Sequence, residues 1–367
     1  MTDPRVETLA RILVDYSVEV RPKQLVRITG GSEGAPLILA VYRKVLERGA
    51  HPFLQVEPEE AEELFYIYAN DAQLDYIPPF MKDIIEQIDG SVGIWTDVNT
   101  KQLTSTDPAK WSRRGVAMRP LSDRLLEREA KKELRWTTTL YPTQAFAQDA
   151  EMSLREFEDF VYDSCLVHEA DPIKAWKTIS KKQQRLVDWL NKARQIHVVG
   201  PDTDLKLEVA GRKWENCDGR QNFPDGEIFT GPVEDSVNGH IRYTYPACDR
   251  GREVEDVRLQ FKDGRVIKAT AAKNEEFLLK MLKTDKGARY VGEFSFGTNY
   301  GIQRFTKNTL FDEKIGGTIH LALGKGYPES GSKNRSAIHW DMVCDLRKGG
   351  EVHVDGTLFL KDGKILV

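Results

Sequence analysis

Residues 336–343 read Ser-Ala-Ile-His-Trp-Asp-Met-Val, with His339 and Asp341 two positions apart in an apolar stretch. Strand side chains alternate between faces, so these two share one face, about 6.5 Å apart along the strand. Ile338, Trp340 and Met342 then face a core. An imidazole beside a carboxylate, backed by an apolar face, is a candidate half of a metal site. The pattern recurs. In Gly317 to Leu323, His320 opposes Ile319, Leu321 and Leu323, and the small Thr318 and Ala322 leave room beside it. In Tyr290 to Phe296, Glu293 opposes Phe294 and Phe296. A carboxylate inside an apolar strand is costly unless its charge is compensated, and a divalent cation does that. In Asn222 to Phe229, Pro224, Asp225 and Gly226 make a turn and Glu227 opens the following strand.

Each of these residues alone is ordinary: most strand histidines are hydrogen-bonded core or surface groups, and most acids after a turn are solvated. The combination is not. Two histidines and three carboxylates that can share one face suit borderline and hard first-row ions such as zinc, cobalt, manganese or iron. They offer more donors than one tetrahedral ion needs. Two ions about 3.5–4 Å apart, bridged by carboxylate and water, would use them all.

The elements that must carry these residues fall into two halves. A chain of 367 residues at about 150 per domain gives two domains. In the first half, strands are expected at residues 25–28, 52–56, 92–95 and 135–140. Helices are expected at 36–48, with Gly49 as its C-terminal stop, and at 59–68 and 79–88. This alternation implies βαβ units and a mostly parallel sheet. Residues 153 to 194 read as helical, opened by a capping box at Ser153 and Glu156. From Ile196 the apolar period becomes two, and Asp-Gly pairs at 263, 355 and 362 mark hairpins. One helix is expected at 275–282. The expectation is an α/β N-terminal domain with a helical extension over 1–194, then an α+β, largely antiparallel catalytic domain over 195–367.

Composition excludes several classes. Basic residues number 53 against 57 acidic, for a net charge of -4, which leaves no footprint for nucleic acid. No apolar run approaches the roughly 20 residues of a membrane helix. The start, Met1 to Arg5, lacks the flank and apolar run of a secretory leader. Cys165, Cys217, Cys248 and Cys344 lie far apart without a CxxC pair, which fits a reducing cytoplasm rather than a disulfide scaffold. Gly30-Gly31-Ser32-Glu33-Gly34 follows a strand and precedes a helix, and Glu57 ends the next strand. A dinucleotide fingerprint ending at Gly34 needs glycine at position 29, which is threonine. An ordinary strand-to-helix turn is the expectation.

Six segments, taken in order, carry a family resemblance: Asn222-x-Pro-x-Gly-Glu227, Gly292-Glu293, Asn308 to Lys314, Gly317-Thr-Ile-His320, Tyr327-Pro328 and Ile338-His-Trp-Asp341. With the α/β first half, they resemble the thermophilic metallo-aminopeptidases. The resemblance implies a two-ion centre, zinc or cobalt with manganese acceptable, held by Glu227, Glu293, His320, His339 and Asp341. It places the family's active-site tyrosine on Tyr327. It implies hydrolysis of the N-terminal residue of short peptides by a water or hydroxide bridging the ions, in a homodimer whose sites face an enclosed cavity.

One rival uses the same residues. His320, His339 and Asp341 form the two-histidine, one-carboxylate set of mononuclear non-haem Fe(II) enzymes. Dihydroxypyridine ring-cleaving dioxygenases resemble relatives of this family. Such a site has no need of Glu227 and Glu293, and both are present.

Overall fold

The computed structural model describes residues 3–249 and 251–367. Met1 and Thr2, the first residues of the segment read for a leader, lie outside them. Among the described residues no helix is long and apolar enough to cross a membrane.

The chain divides into two compact units. The first runs to Ile173 and takes in Gly219–Pro224; the second holds Lys174–Asp218 and Asp225–Val367. This division differs from the change of periodicity near residue 195. Helix Pro172–Leu190 continues into the second unit, where Val187 and Leu190 join its apolar core. Asn222–Phe223 pairs instead with the sheet of the first unit.

That first sheet is parallel throughout, in the order His51–Glu57, Leu25–Gly31, Gly90–Trp95, Arg135–Leu140, Asn222–Phe223. Val26, Ile28, Val92 and Ile94 are buried. Helix Ala35–Glu47 ends at a Gly49 with φ +70, a conformation that favours glycine. The expected capping box on helix Leu154–Ser164 is present, with Ser153 and Glu156 bonding reciprocally. The glycine turn is held internally. Glu59 accepts from Ser32 Oγ and from the Glu33 N–H, and Gly31 N–H donates to Thr96 Oγ1. These N–H groups, which a phosphate would need, already have partners within the unit.

The second unit contains two larger antiparallel sheets. The eight-stranded one is built largely of hairpins, three of them turning at the Asp-Gly pairs. The five-stranded one has the order His339–Asp345, Thr318–Gly324, Val291–Gly297, Glu227–Thr230, Glu215–Cys217. Ile319, Leu321, Leu323, Phe294, Phe296, Trp340 and Met342 from this sheet share one core with Ile196, Val198, Leu205, Leu259 and Phe359. Phe296 links the layers, stacking on Trp214 at 5.7 Å and meeting Phe359 at 4.9 Å. Burying each such aromatic contributes roughly 2–3 kcal/mol. This packing fixes the sheet by one face and leaves the other face for chemistry.

Candidate metal centre

Glu227, Glu293, His320, and the pair His339 and Asp341 stand on four adjacent strands of this sheet. Alternation puts their side chains on the face opposite the core. The strand register brings them together. His320 pairs with Ser295 and Val343, Asp341 with Ala322, and Gly297 with Glu227. A β-bulge between Val291 and Glu293 breaks the regular register and sets where Glu293 emerges. Gly292 is needed there, because a Cβ would meet the carbonyl oxygens of Gly324 and Lys325. Gly226, at φ +122, turns the chain into the Glu227 strand.

Glu293 sits at the middle of the cluster. Its Oε1 is 3.3 Å from His320 Nε2 and its Oε2 is 3.4 Å from His339 Nε2. Glu227 Oε2 lies 3.2 Å from His320 Nε2 and accepts from Ser295 Oγ at 3.0 Å. Asp341 Oδ2 is 3.4 Å from His339 Nε2. His339 Nδ1 donates to Lys325 O at 2.7 Å, which orients the ring and aims Nε2 at the carboxylates. Among the described residues, Asp341 Oδ1 and His320 Nδ1 are buried without a hydrogen-bond partner. An orphaned buried carboxylate oxygen is costly.

Two sets of three donors include a histidine, each within 4.8 Å of one another: Glu227, Glu313 and His320, and Glu293, His339 and Asp341; a third set, Cys217, Asp225 and Glu227, holds none. The second holds three of the five residues expected from sequence. The first adds Glu313, to which the sequence reading gave no role. Glu313 follows the short helix Thr309–Asp312, capped by Asn308. Beside it, Lys314 is fully buried and donates to Glu227 Oε1 at 2.8 Å and to Glu313 Oε2 at 2.7 Å. Burial opposes its charge, but Glu227 and Glu313 outweigh that and hold it as an ammonium. Both lie in the Asn308 to Lys314 segment that carries the resemblance, but an Asp-Glu-Lys run usually marks a solvated surface. Burial also pushes the Asp312 carboxyl up to about 8 despite hydrogen bonds from Thr306.

Charge governs both imidazoles. Burial alone would lower the His339 pKa; Asp341 and Glu293 outweigh it and raise it to about 10. His320 behaves alike: burial is overcome by Glu293 and Glu227, and its pKa rises to about 9. Tyr327 packs beside the cluster, its ring 5.1 Å from that of His339 and 5.3 Å from Phe229. It keeps 38% of its surface exposed. Burial and the surrounding carboxylates keep its hydroxyl protonated well above the usual phenol range. Cys344, on the opposite strand face, is a core thiol whose pKa burial lifts to about 12. It takes no part in either donor set.

A buried set of imidazoles and carboxylates on one sheet face is the donor chemistry of a metal-dependent enzyme, and the relatives agree. The family model described as Thermophilic metalloprotease (M29) matches residues 2–365. Aminopeptidase 2 of Geobacillus stearothermophilus is 27% identical, covering 99% of this chain and 95% of the relative. Aminopeptidase T of Thermus thermophilus is 26% identical over 96% of this chain and 94% of the relative. In structure, wild-type AmpT from Thermus thermophilus superposes with a TM-score of 0.87 at 24% identity, covering 99% of both chains. A 2,5-dihydroxypyridine dioxygenase from Pseudomonas putida KT2440 shares the fold at a TM-score of 0.61 and 14% identity, over 99% of this chain and 97% of its own. The chain belongs to the thermophilic metalloprotease family and is an enzyme, a metallo-aminopeptidase by class.

Proposed function

We propose that the protein removes the N-terminal residue from short peptides at a centre of two divalent ions. The observation that carries this reading is Glu293, whose two oxygens face His320 and His339 separately and so join two three-donor sets. Glu227, Glu313 and His320 would hold one ion; His339 and Asp341 would hold the other, with Glu293 shared. Zinc and cobalt suit these ligands, and manganese is compatible. The ions, when bound, supply Lewis acidity toward the scissile carbonyl and lower the pKa of a water. The chain does the rest. Lys325 O fixes the His339 ring. Tyr327, exposed at its edge and protonated, is the donor for the developing oxyanion. An apolar edge strand, His51–Glu57, with Phe53, Leu54 and Val56 exposed, supports assembly as a homodimer. The cytoplasm is the compartment we infer, from the cysteine spacing.

The shared fold keeps a second reading in view, a one-iron dioxygenase using His320, His339 and Asp341. Three further carboxylates, Glu227, Glu293 and Glu313, crowd the same imidazoles and have no task in that site. The test is release of free leucine from Leu-initiated tripeptides by the zinc- or cobalt-loaded protein. Hydrolysis of the free-amine peptide and refusal of its N-acetyl derivative are expected. No release with either metal, or equal cleavage of the blocked peptide, contradicts the proposal.

A further inference from the structure

Within the two-ion reading, the two donor sets differ in one respect: an internal cation touches only one of them. Lys314 is fully buried and bonds Glu227 Oε1 and Glu313 Oε2, one oxygen of each carboxylate in the first set. Asp225 and Cys217 also lie within its electrostatic reach. In the second set, among the described residues, Asp341 Oδ1 is buried with no partner, and no lysine or arginine side chain pairs with Glu293 or Asp341.

We propose that Lys314 is a positioning residue that makes the two metal positions unequal. Its ammonium fixes the Glu227 and Glu313 carboxylates and turns Glu227 Oε2 toward His320. The same charge repels a dication placed among those donors, in a buried setting where screening is weak. The Glu227, Glu313, His320 position is therefore the weaker and exchangeable one. The Glu293, His339, Asp341 position is the tight one.

The proposal rests on the two-ion centre, and the experiment separates the two claims. Metal-free protein is titrated with Zn2+ or Co2+ against a chromophoric chelator, and the two affinities are read without reference to activity. The wild type is expected to bind two ions with affinities about ten-fold or more apart. Lys314→Met should tighten the weak ion about ten-fold or more, closing the gap, while Lys314→Arg, which keeps the charge, should preserve it. Should Lys314→Met not fold, Glu313→Gln and Asp341→Asn decide the matter. Glu313→Gln should lose the weak ion alone, and Asp341→Asn the tight one. Two ions of equal affinity in the wild type, an unchanged gap in Lys314→Met, or loss of the tight ion in Glu313→Gln overturns the role given to Lys314. A single ion in the wild type overturns the two-ion centre itself.

Discussion

At the scale of single residues, the imidazole pKa values of about 9 for His320 and about 10 for His339 couple metal uptake to pH. Both lie above the ordinary 6.5. In the metal-free chain each protonated ring therefore adds stability that is complete below pH 6.5 and is lost as pH rises through about 9 to 10. A metal must displace those protons, so it binds more weakly as pH falls. The gain in melting temperature on adding Zn2+ is predicted to grow from pH 6 to pH 9, checked by paired thermal scans; a gain independent of pH contradicts the shifts. His339→Ala should lower kcat/KM about a hundred-fold or more and leave the far-UV circular dichroism unchanged. Turnover like the wild type removes His339 from the site. Tyr327→Phe should lower kcat about a hundred-fold or more with little change in KM, as loss of an oxyanion donor does; a rise in KM alone would make Tyr327 a binding residue instead. Glu293, His320, His339 and Asp341 were legible in sequence because each interrupts an apolar alternation. Glu313 and Lys314 were not, since only tertiary packing turns a charged run into a buried ion pair.

At the scale of elements, the Glu293 bulge sets the geometry of the centre. Gly292→Ala is predicted to cost about 1–3 kcal/mol of stability, because the added Cβ meets rigid backbone oxygens. It should also weaken metal retention, read by chelator competition. A variant with native stability and native metal affinity would show that the bulge can relax without moving Glu293. Hairpins at Asp-Gly pairs and the short strands of the first half were legible from local chemistry. Helix Pro108–Ala130 was not. Pro120 lies within it and only Trp111, Leu121 and Arg128 of its residues are buried, so neither breaker rules nor apolar spacing announced it. The bulge itself was invisible, since a register shift is a property of two strands.

At the scale of the whole molecule, two units of different architecture divide the chain, and every candidate ligand belongs to the second. The parallel and antiparallel halves were readable from the change in apolar period. The division was not, because a helix spans its boundary and the later segment Gly219–Pro224 belongs to the first unit. Four carboxylates and two imidazoles meet in a confined cluster, so metal removal should destabilise the second unit; a chelator that leaves its melting unchanged contradicts a resident metal. The most direct test of the central claim is metal stoichiometry of the purified chain, titrated separately with Zn2+, Co2+, Mn2+ and Fe2+. Two ions per chain, with zinc, cobalt or manganese, is the result this account predicts. One ion per chain with a preference for Fe2+ would contradict it, and Glu227, Glu293 and Glu313 would lose their assigned place at the centre.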